Sequence, residues 1–203
     1  MLPIQTSGTP FPINIGGELR NGLMVEVSGN EYELCEKFSD DRWSNTKKGD
    51  GYGRGLVNTS DDPRRAERTG LIGEMGLSKI INYPIDLEYR EGGDKQDFLI
   101  ANKKVDMKTA TRAYQTGLIY HTNSWGRSIP LDKDIYIFGY LASEDRNAQM
   151  AKLVIVGYAT NDMVKTSKVA LGRSKGAKHW NYEVPWAVLS PIEGLIAMLR
   201  EPS

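Results

Sequence analysis

Cysteine occurs once and histidine twice among the 203 residues, and that scarcity removes several chemistries at the outset. Cys35 has no second cysteine to bridge to and no Cys or His at ligand spacing. An internal disulfide is excluded, a structural zinc site has no support, and a buried small side chain is the expected role. His121 and His179 lie far apart with no carboxylate at ligand spacing, so each is read as a surface or satisfied core histidine. No Ser-His-Asp or Cys-His arrangement has a local motif to rest on, and without G-x-x-x-x-G-K-[ST] ATP-driven chemistry has no support. No apolar run approaches the roughly 18 residues that cross a bilayer, and the start MLPIQTSG has neither a basic nor an apolar leader region. A cytoplasmic protein with no membrane partner is therefore expected. Net charge is also missing: 26 basic residues balance 26 acidic ones, which argues against a protein that coats nucleic acid by bulk electrostatics.

What is present describes an ordinary globular chain, 39% apolar and 26% charged, of a length that suits a single domain spanning 1–203. Residues 1–30 hold Pro3, Pro10 and Pro12 and read as an extended arm leading to a short edge strand or hairpin near Leu23–Val27; the core is expected over 31–200. Glu31–Asp41 suits a short helix with Tyr32, Cys35 and Phe38 on one face. Trp43–Asp62 is rich in Gly, Asn, Asp and Ser and reads as a long loop. Its Lys47, Lys48 and Arg54 either touch a phosphate backbone or belong to a plain connector. Beyond it, a strand is expected at Ile85–Tyr89 and a turn at Gly92-Gly93. Thr111–Arg127 suits either a strand such as Gly117–His121 or a loop shaped by substrate. Ile135–Leu141 and Leu153–Ala159 are continuous apolar runs, the pattern of central strands covered on both faces. A short helix is expected at Glu193–Arg200.

The stretch Asp94–Ala110, DKQDFLIANKKVDMKTA, organises the rest. Apolar and β-forming residues alternate over Gln96–Ala101 and Lys104–Thr109, with Asn102-Lys103 as the turn of an antiparallel hairpin. Because strand side chains alternate faces, Asp97 and the pair Asp106 and Lys108 can converge at one end of a sheet. Phosphodiester hydrolysis needs a hard cation such as Mg²⁺ or Mn²⁺, and such ions take carboxylate oxygens. Asp97 and Asp106 are the candidate metal ligands, while the Lys108 ammonium can orient water or neutralise developing charge. The competing reading is a solvated hairpin on which Asp106 and Lys108 form a surface ion pair.

A helix from Pro63 to Asn82, opened by Asp61-Asp62-Pro63, adds a fourth group. Leu71, Met75, Leu77 and Ile81 form its buried stripe, and Glu74 falls within that stripe. A buried carboxylate needs a cation or a hydrogen-bond network. A metal site meets that need, and so does a salt bridge to Lys108 or to an arginine. Gly70, Gly73 and Gly76 weaken this helix, and close approach of its backbone to the sheet is the expected compensation.

The order helix Glu74, strand Asp97, strand Asp106-x-Lys108 resembles the PD-(D/E)xK nuclease superfamily, in its small stand-alone form from phages and prokaryotes. Gln96 stands where the namesake proline would be, and Asp94 competes with Asp97 for the first acid. The resemblance implies an α/β fold of the restriction-endonuclease-like kind, a mixed central sheet flanked by helices with the acids at one sheet edge. It further implies a metal-dependent deoxyribonuclease with Glu74, Asp97, Asp106 and Lys108 as catalytic groups, Glu74 also serving the metal. The partner would then be nucleic acid, DNA first. Between Met163 and Tyr182 lie Lys165, Lys168, Arg173, Lys175 and Lys178 and no acid, which suits either a phosphate-binding tract or a solvated face. Trp180, Tyr182 and Trp186 suit base stacking or core. The rival function is a non-catalytic nuclease-like module that binds DNA or inhibits a host protein. Both a monomer and a homodimer remain open.

Overall fold

The computed structural model describes residues 8–46, 64–87, 97–123, 125–172 and 178–195. In chain order they form β1 (Thr9–Ile15), β2 (Glu18–Ser28), α1 (Asn30–Thr46), α2 (Arg65–Ile81), β3 (Phe98–Ile100), β4 (Lys103–Ala110), β5 (Thr116–Tyr120), β6 (Ile135–Asp145), β7 (Met150–Thr160), α3 (Asn161–Lys165), β8 (Lys168–Leu171) and β9 (Trp180–Pro185). The protein is a mixed α/β structure. No helix among the described residues is long and apolar enough to cross a membrane.

Six strands form one sheet in the order β1-β2-β7-β6-β4-β3, and three form a second in the order β5-β9-β8. Within the larger sheet β4 and β6 run parallel, whereas β6 and β7 are antiparallel neighbours. The two long helices α1 and α2 cover one face of it. On that face Leu71, Leu77 and Ile80 of α2 and Tyr32 and Cys35 of α1 pack on Val25, Val105, Ile137 and Leu153. The other face is covered by the smaller sheet, through Ile119 and Val184 against Tyr136, Phe138, Val154 and Val156. The continuous apolar runs of β6 and β7 follow from this double cover: Ile135 and Ile137 enter one core and Tyr136 and Phe138 the other, by the two-residue alternation of a strand. Gly117 lets β5 approach β6, since a Cβ there would lie 2.1 Å from Phe138 Cε1.

Several expectations change. The expected mixed sheet flanked by helices is present, and a second, smaller sheet joins it. The stretch Leu23–Val27 belongs to a strand paired with both β1 and β7, so it is interior, and residues 9–28 are built into the main sheet instead of forming an arm. Helix α1 continues past Asp41 to Thr46. Residues 85–87 carry no regular structure. The remainder of the expected Ile85–Tyr89 strand, the Gly92-Gly93 turn and the Asp61-Asp62-Pro63 helix start lie outside the described residues. Helix α2 ends where its sequence says it should, with Asn82 in the left-handed conformation at φ 50° and its N–H donated to the Ser78 carbonyl. Its glycines divide. A Cβ on Gly73 would meet Thr109 Oγ1 at 1.7 Å and one on Gly76 would meet Leu153 Cδ2 at 2.5 Å, whereas Gly70 faces open space.

Candidate active site

The acidic hairpin closes one residue earlier than its sequence suggests. Ile100 pairs with Lys103, which leaves Ala101 and Asn102 as the turn, with φ of 48° and 61°. Positive φ at both central residues matches the right-handed twist of the strands they join. The expected turn at Asn102-Lys103 is thereby corrected, because Lys103 is already paired.

Phe98 pairs with Val105, and Asp97, one residue before it, comes close enough to Asp106 on β4 for the two charges to interact. Asp97 stands just before β3; its N–H bonds the Val105 carbonyl at 3.1 Å, and its Oδ2 accepts the Met107 N–H at 2.6 Å. Asp106 is buried. Its Oδ2 accepts no directed hydrogen bond but lies 2.6 Å from Lys108 Nζ. Burial, then the neighbouring Asp106 charge, pushes the Asp97 carboxyl up to about 7, against the opposing pull of Lys108, the Met107 amide and Arg42. Burial works to lower the pKa of Lys108, but the Asp106 carboxylate beside it, with Asp97 and Glu74, lifts it above the ordinary lysine value. A proton or another cation must offset two facing carboxylates, and the Lys108 ammonium does so only in part.

Glu74 is buried in α2 and turns toward α1, where Arg42 Nη1 lies 3.7 Å from its Oε1. An arginine is thus among its partners, and its charge also reaches Lys108. Arg42 is the residue the sequence did not single out. It follows Phe38 by four and Cys35 by seven, so the helical periodicity of Glu31–Asp41 extended by one turn would have found it. Its charge reaches Asp97 as well as Cys35, and the Cys35 thiol is pushed up to about 12 by burial and then by Glu74. Among the described residues no three His, Cys, Asp or Glu side chains gather at a geometry that could hold an ion. The structure thus brings Asp97, Asp106 and Lys108 together and keeps Glu74 on Arg42. Two hard carboxylate donors still fit Mg²⁺ or Mn²⁺, which need only one or two protein carboxylates.

The basic candidates scatter. Lys47, Lys48, Arg54, Arg173 and Lys175 lie outside the described residues. Lys165 pairs with Asp162 at 3.4 Å, one residue upstream of the acid-free tract, and Lys168 stands opposite Glu183 on β9. Lys178 is exposed. Of the late aromatics, Trp186 is buried and stacked on Tyr140, Tyr182 packs against the second core, and Trp180 is half-exposed. His121 and His179 make edge contacts with Tyr182 and Tyr120. No protein-family model matches the chain, and neither the curated proteins nor the solved structures give a significant match.

Proposed function

We propose that this protein is a Mg²⁺- or Mn²⁺-dependent nuclease of the PD-(D/E)xK kind, acting on DNA in the cytoplasm. The observation that carries the reading is the Asp97 carboxylate, held by the Met107 amide of β4 within reach of the Asp106 charge, with the Lys108 ammonium 2.6 Å from Asp106. Helix α2, the β3–β4 hairpin and β6 are assigned to a restriction-endonuclease-like core. Their order supports this, although the parallel β4-to-β6 crossover, usually a helix, runs here through β5. Asp97 and Asp106 would hold the ion, and the ion supplies polarisation of a phosphoryl oxygen and an acidified water. Lys108 sets its positive charge beside the place where phosphate charge develops. Glu74 acts through Arg42, fixing a second cation whose charge also reaches Asp97.

A second reading has its own support. Arg42 on Glu74 and Lys108 on Asp106 already compensate much of the acidic charge, as a non-catalytic module that binds DNA or a host protein would require. Incubation of supercoiled plasmid with the protein in Mg²⁺, Mn²⁺ or EDTA separates the two. Nicking or linearisation in metal and none in EDTA is the expected result. Intact plasmid in every lane, with the protein folded, leaves the module.

A further inference from the structure

Segment 111–115, which leaves β4 for β5, exposes Arg112 and Tyr114 beside an anchored Gln115. Gln115 adopts φ 62°, a left-handed conformation that costs a non-glycine residue on the order of 1 kcal/mol and persists only where its surroundings hold it. They do hold it. The Gly16 N–H donates to Gln115 Oε1 at 3.2 Å, Gln115 Nε2 donates to the Asn14 carbonyl at 2.8 Å, and the Trp186 N–H donates to the Gln115 carbonyl at 2.9 Å. Tyr114, the residue before this clamp, is nevertheless 48% exposed, and the guanidinium carbon of Arg112 stands 4.8 Å from its ring centroid. Hydrogen bonding from Thr111, with burial working the other way, and the charges of Arg112 and Arg65 hold the Tyr114 phenol below its ordinary pKa.

An exposed aromatic ring on an ordered backbone loses little entropy when a flat ligand stacks on it. The Arg112 guanidinium beside it favours an anion. Arg112 follows Lys108 by four residues, at most about 13 Å at about 3.3 Å per residue, which is the span of a few nucleotides. We propose that Tyr114 and Arg112 form a platform for an unpaired nucleotide flanking the cleavage site, the ring stacking on the base and the guanidinium holding phosphate. This rests on the nuclease reading and narrows its substrate to DNA with a single-stranded segment or frayed end, because a base inside a duplex has both faces covered by its neighbours.

The test is fluorescence anisotropy in EDTA, with a labelled single strand and a blunt duplex of equal length, for wild type, Tyr114→Ala, Tyr114→Trp and Arg112→Ala, each checked by circular dichroism. Tyr114→Ala should weaken single-strand binding about 5- to 100-fold, the worth of one stacked base, and duplex binding about twofold or less, while Tyr114→Trp binds at least as tightly as wild type. Arg112→Ala should lower the salt slope on the single strand by about 0.7. Wild-type affinity in Tyr114→Ala and Arg112→Ala, or equal losses on both substrates, would overturn the platform. Failure of the nuclease reading is seen separately, as intact DNA when wild type is given Mg²⁺, and does not alter the binding curves.

Discussion

The Met107 amide donates its hydrogen bond to Asp97 Oδ2 at 2.6 Å, so a side-chain carboxylate occupies the place where a longer β3 would have offered a backbone carbonyl. The ladder of the hairpin ends there, and the same bond fixes Asp97 opposite Asp106. A strand end is thereby turned into a pair of facing carboxylates. That geometry governs how the protein should respond to pH and to cations.

The carboxyl of Asp97 is raised to about 7 in the folded chain, above its unfolded value of about 3.9. With the folded value the higher one, its stabilising contribution is complete below about pH 4 and is lost as pH rises through about 7. Urea midpoints of the metal-free protein should fall across that window. Asp97→Asn should flatten the fall, and saturating Mg²⁺ should recover stability at the alkaline end. Identical pH profiles for wild type and Asp97→Asn would show that the Asp97 carboxyl is not raised in the folded chain.

Asp106 and Lys108 touch each other yet should respond differently to removal. Asp106→Ala deletes a ligand and is expected to abolish plasmid cleavage and weaken Mn²⁺ binding by tenfold or more. Lys108→Ala deletes a positive charge next to the ion's place, so cleavage is lost while Mn²⁺ affinity is held or improved. Titration calorimetry on both variants reads the difference, and equal loss of affinity would make Lys108 structural.

Removing Arg42 leaves Glu74 with a weaker set of partners in a largely buried position. Arg42→Ala is expected to cost on the order of 2–3 kcal/mol of unfolding free energy, and Glu74→Gln in that background should recover part of it. A double-mutant cycle by urea denaturation supplies the coupling energy. Strictly additive losses would mean that the 3.7 Å pair contributes nothing.

The two ends of the α2 glycine series should behave in opposite ways. Gly73→Ala forces a methyl against Thr109 and Met107 and should lower the thermal midpoint, at a cost of about 1–3 kcal/mol. Gly70→Ala meets open space and should raise stability by up to about 1 kcal/mol through helix propensity. Thermal melts of the two variants decide it, and a stabilised Gly73→Ala would refute the close helix–sheet contact.

Much of this arrangement is written locally in the chain. Apolar runs marked β6 and β7, a helical stripe marked α2 with Glu74 inside it, Asn82 ended that helix, and alternation put Asp97, Asp106 and Lys108 on one hairpin. Each of these depends on neighbours within a few residues, where period and turn chemistry leave a direct trace. Other features have no such trace. That β1 and β2 join β7, and that β5, β9 and β8 leave the main sheet to cover its second face, depends on pairings across long separations in the chain, for which any strand with a free edge would have served. The partner of Glu74 was likewise undecided in the sequence, since Lys108 and several arginines could reach a buried carboxylate. Packing of α1 on α2 sets Arg42 beside Glu74.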